Sequence, residues 1–410
     1  MTRSSLAFAL AVGAATACEP TLGDTPFACG AEGICPDGYT CRATICVADG
    51  TTMDVARPMR IDWINAGEMF WFASPGGGAT LVVNDGFTDG SRGLYEIVVG
   101  ADGAVGDPAL LLDFGEEFPT SSAVVALDDD HYGVLTLSFP SLASTQQDVT
   151  FWSVPREGRG GAPEIVGRPT TPVPFVGGAE PVYVGAVARN GGVDVSFADP
   201  SQGGQVVVGR VQNGVFTERA RLPLGSALPL SADSLIWDLG DAIAVRVGLE
   251  ESEMWRVPDG PEPAVEGPVP FPGQPVYAFD DRVIVLTTEQ VSEDDPIVAT
   301  LESYDWSGVL LGSTPAGVLQ TDLEPFSGIV GDSGVHLAPL SDDDGFGTLE
   351  VARLDASGSV TRVAALDRPG TDELYSARAF AQGGRVYIAW TSFHEAVMDL
   401  WVGVATEGAP

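Results

Sequence analysis

Groups of neighbouring acidic residues are the feature of this sequence best suited to binding a cation. Calcium takes six to eight oxygen ligands, and clustered carboxylates beside glycines can supply them. None of the groups has the twelve-residue spacing Asp-x-Asp-x-Asp-Gly with a terminal Glu that many calcium-binding loops use. We therefore expect solvated turns and no metal or other cofactor, with calcium at Asp342, Asp343 and Asp344 as the alternative. The four groups span residues 84–90, 128–130, 293–295 and 342–344.

Side chains suited to nucleophilic or acid–base catalysis are sparse. The three histidines, His131, His336 and His394, lie in or beside different predicted strands, where a lone histidine is more often packed or solvated than catalytic. A catalytic serine needs a sharp exposed turn, and the sequence contains no Gly-x-Ser-x-Gly segment to form one. The turn motif Ser-x-Asp-x-Gly-x-x-Trp of sialidases is also absent. We therefore predict no catalytic residue and no enzyme activity.

All five cysteines lie within the first 50 residues, and the first of them follows a segment typical of an export signal. Met1–Arg3 is short and positive, and Leu6–Ala15 is apolar but too short to span a bilayer. The small residues before Cys18 resemble the lipobox of bacterial lipoproteins, although Ala15 stands where Leu, Ile or Val is commoner. The resemblance implies a signal peptide over residues 1–17 and lipid on Cys18.

The cysteine count favours lipidation over cleavage by ordinary signal peptidase, which the same Ala-x-Ala run also suits. An exported protein meets an oxidising compartment, where an unpaired thiol is a liability. Lipid on Cys18 leaves an even set of four cysteines for two disulfides, whereas ordinary cleavage leaves an odd thiol. The four are Cys29, Cys35, Cys41 and Cys46.

Residues 27–46 contain too few apolar side chains to form a core, so cross-links must hold this segment. The run from Cys35 to Cys41, Cys-Pro-Asp-Gly-Tyr-Thr-Cys, resembles the knots near the start of surface lipoproteins from myxobacteria and, more broadly, small cysteine-rich extracellular modules. The resemblance implies a disulfide-rich tether over residues 18–57, whose disulfide pairing stays open. Zinc is the alternative, but the spacing lacks the close Cys-x₂₋₄-Cys pairs of structural zinc sites.

The rest of the chain repeats a strand followed by a turn that ends in glycine. Leu94–Val99 runs into one such turn, and Leu349–Leu354 runs into another. Two further apolar runs precede each turn and a fourth follows most of them, which indicates four-stranded units. Seven closing glycines are spaced by 46 to 56 residues, the range of β-propeller blades. They are Gly103, Gly158, Gly214, Gly260, Gly308, Gly358 and Gly408.

The two ends of the repeat complement each other. The seventh unit ends at Gly408 without a fourth strand, whereas Met59–Ile64 is an extra strand before the first unit. In a ring, that strand would complete the last blade and cover its edge. We therefore predict an all-β fold with few helices: a disulfide-rich module followed by a seven-bladed β-propeller over residues 58–410, closed by strand 59–64. Six or eight blades are alternatives, as is a pair of β-sandwiches.

The strong negative charge limits the partners. Asp and Glu number 57 against 20 Lys plus Arg, a formal net charge of −37, and every basic residue is Arg. Such a field repels nucleic acid and anionic lipid headgroups. We therefore expect a monomeric lipoprotein, held by its lipid at the cell envelope in the outer membrane, whose propeller binds a protein or glycan without catalysis. The alternative is an extracellular propeller-type hydrolase or lyase that uses carboxylates and calcium.

Overall fold

The fold is given by a computed structural model, in which the chain divides into two compact units, Met1–Thr52 and Met53–Pro410. The described residues contain no helix, and therefore none long and apolar enough to cross a membrane. The structure describes residues 27–28, 39–42, 45–48, 59–61, 66–85, 93–140, 146–159, 161–167, 173–174, 184–199, 205–223, 234–247, 253–260, 263–289, 297–319, 329–331, 334–341, 348–355, 359–367, 373–394 and 397–408.

The first unit contains a small antiparallel sheet. Its strands are β1 (Phe27–Ala28), β2 (Tyr39–Arg42) and β3 (Ile45–Ala48), in the order β1-β3-β2. The backbone register places Cys41 directly opposite Cys46 in the β2–β3 hairpin. Cys18, Cys29 and Cys35 lie outside the described residues, so the lipid and the disulfides stay predictions.

The second unit consists of seven four-stranded antiparallel blades, which confirms the predicted all-β, seven-bladed propeller. The blades follow one another along the chain, and strands within a blade pair in sequence order. Blades 1 to 4 are β5 (Ala66–Ala73), β6 (Ala79–Asp85), β7 (Gly93–Val99), β8 (Ala109–Asp113); β9 (Phe118–Ala126), β10 (His131–Phe139), β11 (Gln146–Pro155), β12 (Glu164–Gly167), with β13 (Val173–Pro174) also pairing β11; β14 (Val184–Arg189), β15 (Gly192–Asp199), β16 (Gln205–Gln212), β17 (Val215–Pro223); and β18 (Ser234–Asp238), β19 (Ala242–Val247), β20 (Glu253–Pro258), β21 (Glu266–Pro270).

The remaining three blades contain the two departures from simple succession. Blades 5 and 6 are joined into one sheet by a single residue pair, Val318 with Ser341. Blade 7 takes its fourth strand from β4 (Met59–Ile61), which pairs with the third strand of the blade. The ring thus closes with a strand from the start of the unit, which covers the edge of the last blade. The strands of these blades are β22 (Gln274–Ala278), β23 (Arg282–Glu289), β24 (Ile297–Asp305), β25 (Leu310–Leu319); β26 (Ile329–Gly331), β27 (Gly334–Ser341), β28 (Thr348–Leu354), β29 (Val360–Asp367); and β30 (Glu373–Gln382), β31 (Arg385–His394), β32 (Val397–Thr406).

Seven apolar clusters fill the seven junctions between neighbouring blades. Successive residues of one strand serve different junctions because side chains alternate across a sheet. In β6, Leu81 and Val83 pack towards blade 7, whereas Val82 packs towards blade 2. Both faces of a blade are therefore buried, which explains why its second and third strands are continuous apolar runs.

The glycines that mark the repeat have a backbone reason to be glycine. Five of the seven, from Gly103 to Gly308, adopt a positive φ in the turn between the third and fourth strands. L-residues with a side chain adopt that conformation rarely. The turn at Asn213 and Gly214, with φ of 51° and 74°, shows the two-residue form that suits a β-hairpin.

Candidate functional site

The first strands of the blades line the centre of the ring. Each is the edge strand of its blade, and neighbouring first strands such as β5, β9 and β14 contact one another. Side chains near the beginning of these strands therefore converge at one end of the central channel. A carboxyl group, that of Glu68 in β5, lies at this end.

Glu68 is held by hydroxyl and amide donors from blade 2. The Ser121 hydroxyl donates to its Oε1 at 3.0 Å, and the Ser122 main-chain N–H donates to its Oε2 at 2.7 Å. The Ser122 hydroxyl donates to the same Oε2. Among the ion pairs formed by described residues, none includes Glu68. The carboxyl group thus relies on neutral donors.

The group extends into two more strands. The Val184 N–H of β14 donates to the Ser121 hydroxyl at 3.1 Å, which brings in blade 3. Asn84 of β6 donates through its side-chain amide to the Ser122 hydroxyl at 3.4 Å. The Asn84 Oδ1 is buried and has no donor among the described residues. One carboxyl and one amide from blade 1 and two hydroxyls from blade 2 therefore meet in this cluster, which we call the Glu68 group (Glu68, Asn84, Ser121, Ser122).

Burial raises the pKa of Glu68 to about 7, and this effect exceeds that of the hydrogen bonds from Ser122, Ser121 and Asn84, which lower the pKa. The residue nevertheless keeps partial exposure to solvent. At neutral pH, both protonation states are populated, so Glu68 can donate or accept a hydrogen bond. A carboxyl with these properties suits either pH-dependent binding or proton transfer.

The sequence-predicted candidates do not belong to this cluster. Asp128 accepts N–H bonds from Asp130 and His131 in the exposed turn before β10, at 2.7 Å each. His336 is buried between blades 6 and 7, where it contacts Glu407 at 3.4 Å, and burial lowers its pKa. His394 is the last residue of β31.

Calcium at Asp342, Asp343 and Asp344 stays a prediction. Among the described residues, no three His, Cys, Asp or Glu side chains are grouped so that they could hold a metal ion. Asp342, Asp343 and Asp344 lie outside those residues, as do positions 293–295 and 86–90.

A second charged cluster lies at the junction of blades 3 and 4. Fully buried Asp194 accepts from Arg189 at 2.6 Å, from Arg210 at 3.0 Å and from Arg219 at 2.9 Å. Arg189 also pairs with Asp238 at 3.3 Å and with Asp259 of blade 4. Three cations thus meet three anions, and the cluster ties the two blades together.

The Glu68 group has no motif that a sequence would display. Glu68 and Ser121 are 53 positions apart, and they meet only because β5 and β9 are neighbouring first strands. The sequence offers only a weak sign of this group. A glutamate lies within the largely apolar strand Ala66–Ala73, and two serines precede the apolar end of β9.

No family model matches the chain, and no curated protein does either. Solved structures are similar to it at low sequence identity. A neuraminidase-like protein of a little yellow-shouldered bat strain is 13% identical, with 87% of this chain and 100% of that chain covered and a TM-score of 0.40. The C-terminal WD40 domain of Sif2 is 12% identical, with 86% and 99% covered and a TM-score of 0.45. An α-L-arabinofuranosidase from Fusarium graminearum is 7% identical, with 87% and 98% covered and a TM-score of 0.45. These likenesses assign no activity to this chain.

Proposed function

We propose that this protein is a non-enzymatic binding protein of the cell envelope, whose propeller binds a glycan at the end of the channel where the Glu68 group lies. The observation that carries the proposal is the composition of that group. The carboxyl of Glu68 and the amide of Asn84 are partly exposed and can meet ligand hydroxyls, whereas the buried hydroxyls of Ser121 and Ser122 hold that carboxyl in place. Convergent polar groups in an otherwise apolar surrounding are typical of small-molecule sites.

Parallel assays of binding and of cleavage, each with the Glu68→Gln variant, test whether the protein binds glycans and whether it cleaves them. Purified protein is applied to an immobilised oligosaccharide panel and, in parallel, incubated with the captured sugars to detect cleavage. The Glu68→Gln variant is expected to bind the captured sugar at least about tenfold more weakly, since a lost or mismatched hydrogen bond to a charged group is worth about 1.5–3 kcal/mol. An exposed control, Asp281→Asn, should bind as the parent does. Equal binding by Glu68→Gln would refute this site.

The second candidate function is a hydrolase or lyase, favoured by the pKa of Glu68 near 7, where a general acid works best. Hydrolysis of a glycosidic bond by this route usually needs a second carboxyl group on the other side of the bond. Release of product by the parent protein and its loss in Glu68→Gln would establish catalysis. Addition of a chelator in the same assay tests calcium at Asp342, Asp343 and Asp344.

The envelope location rests on the N-terminal sequence. We propose export on residues 1–17, lipid on Cys18 and attachment of the monomer to the outer membrane through the tether 18–57. Cys18→Ala should move the protein from the membrane to the soluble fraction and abolish incorporation of labelled lipid. Continued membrane partition of that variant would refute the anchor. Mass spectrometry without reduction should find Cys29, Cys35, Cys41 and Cys46 in two disulfides.

A further inference from the structure

A cavity of about 280 Å³ lies between blades 1 and 2, at the end of the strands opposite to the Glu68 group. One wall is the turn that follows β5, at Ser74–Gly76, together with Glu96 of β7. The other wall is the turn that follows β11, at Arg156–Arg159. Tyr132 of β10 lies behind the cavity, where it contacts both charged residues.

The guanidinium of Arg156 is buried and has no counter-ion among the described residues. The residue is 7% exposed, and none of the ion pairs among described residues includes it. Its Nη1 donates only to the Ala73 carbonyl at 3.5 Å, and its buried Nε has no acceptor among the described residues. The cation is otherwise held by the ring of Tyr132, 4.5 Å away. A buried cation with no described counter-ion and an unsatisfied N–H is costly, which marks a place where a ligand oxygen would fit.

A carboxylate in the same wall is also without a cation. Glu96 is 3% exposed and accepts from the Tyr132 hydroxyl at 2.8 Å and from the Glu157 N–H at 2.6 Å. Each of its oxygens retains room for a further donor, since a carboxylate accepts about four hydrogen bonds. No described ion pair joins Glu96 to Arg156, so the cavity has one buried positive pole and one buried negative pole. Arg159 and Glu157 also line it, but both are exposed, and Arg159 pairs with Asp130 at 3.2 Å.

The two poles select the ligand. A simple anion would meet Glu96 and a net charge of −37, whereas a metal cation would meet Arg156. A molecule that carries both charges satisfies both poles at once. A carboxylate also matches the planar fork of a guanidinium. We propose that this cavity binds a small zwitterion, a free amino acid, with its carboxylate on Arg156 and its ammonium group on Glu96.

The test is equilibrium dialysis of the full chain against the common L-amino acids in the millimolar range. At least one is expected to bind saturably, and its N-acetyl derivative and its amide should each bind at least about tenfold more weakly, because each lacks one charge. No saturable binding by any amino acid would overturn the proposal, as would equal binding of either derivative.

Variants of the two poles connect the binding to this cavity. Arg156→Met should abolish binding, Arg156→Lys should retain part of it, and Glu96→Gln should weaken the amino acid more than its N-acetyl derivative. Arg282→Met removes a partly exposed arginine that pairs with Asp281 in blade 5, away from the cavity, and it should leave binding unchanged. Binding by folded Arg156→Met or Arg156→Lys as tight as that of the parent, or a loss in Arg282→Met equal to that in Arg156→Met, would overturn the assignment.

Discussion

Two of the blade junctions that contain buried charges differ in how those charges are paired. Between blades 3 and 4, Asp194 is surrounded by three arginines, and Arg189 pairs with acids from both blades. Between blades 1 and 2, Glu68, Glu96 and Arg156 form no ion pair among the described residues. The first junction is complete by itself. The second keeps charged groups with hydrogen-bonding capacity to spare, which is what a binding region requires.

The energetic consequence differs as well. Removing one member of a buried ion cluster leaves the others uncompensated and is strongly destabilising. A buried charge that forms no ion pair contributes little to the free energy of unfolding, so its removal costs little stability. Substitutions at the two junctions should therefore separate by several kcal/mol, although the side chains are of the same types.

The largest expected effect is at the complete junction. Asp194→Asn removes the charge that three arginines share, and it should lower the free energy of unfolding by about 3–5 kcal/mol. Urea unfolding followed by tryptophan fluorescence measures this. Asp281→Asn, which breaks an exposed pair with Arg282, is the control and should cost less than about 1 kcal/mol. Comparable losses of unfolding free energy in Asp194→Asn and Asp281→Asn would contradict the structural role assigned to the buried cluster.

The next effect is a pH dependence caused by Glu68. The unfolded chain releases this proton near pH 4.5, whereas the folded chain retains it up to about pH 7. Folding therefore takes up a proton at Glu68 in this window, and the contribution of Glu68 to the stability of the parent falls as the pH rises from 4.5 to 7. Glu68→Gln should lack this decline, so its stability relative to the parent should increase by about 3 kcal/mol across the window.

Urea unfolding at pH 4.5, 6 and 8 provides the comparison. Because the variant is compared with the parent at each pH, the other acidic groups of the chain cancel. A constant difference at all three pH values would contradict the raised pKa of Glu68.

The smallest effect is expected at the unpaired arginine. Arg156→Met keeps an extended apolar side chain over Tyr132 and removes a buried charge that has no described counter-ion. Its free energy of unfolding should fall by no more than about 1 kcal/mol, since the lost cation–π contact is worth about 0.5–1 kcal/mol and removal of the uncompensated charge is favourable. Arg189→Met is the matched variant at the complete junction and should cost about 3–5 kcal/mol. Thermal and urea unfolding of the two proteins side by side would show the difference.

The sequence predicted the blades but not the contents of their junctions. Gly103, Gly158 and Gly214 stand out because a positive φ favours glycine at the same place in each of the first five blades. The apolar third strands stand out because both faces of a blade are buried. These requirements are local and recur from blade to blade, so one chain displays them repeatedly.

The Glu68 group and the Arg156 cavity occur once and depend on which residues of different blades meet. Glu68 reaches Ser121 across 53 positions, and Glu96 approaches Arg156 through Tyr132. Composition and spacing do not show which residues of different blades lie side by side. The acidic run 128–130 that is visible in the sequence belongs to a turn, where the Asp128 carboxylate accepts main-chain N–H bonds.

The central claim is that Glu68 is a protonatable group at the channel end rather than a locked structural charge. The most direct measurement is carbon-13 NMR of protein labelled at the glutamate side-chain carboxyl, titrated from pH 4 to 9, with Glu68→Gln to assign the signal. One carboxyl signal is expected to titrate near pH 7 and to be missing in the variant. If the signal that disappears in Glu68→Gln titrates near pH 4.5, the account of this site is wrong.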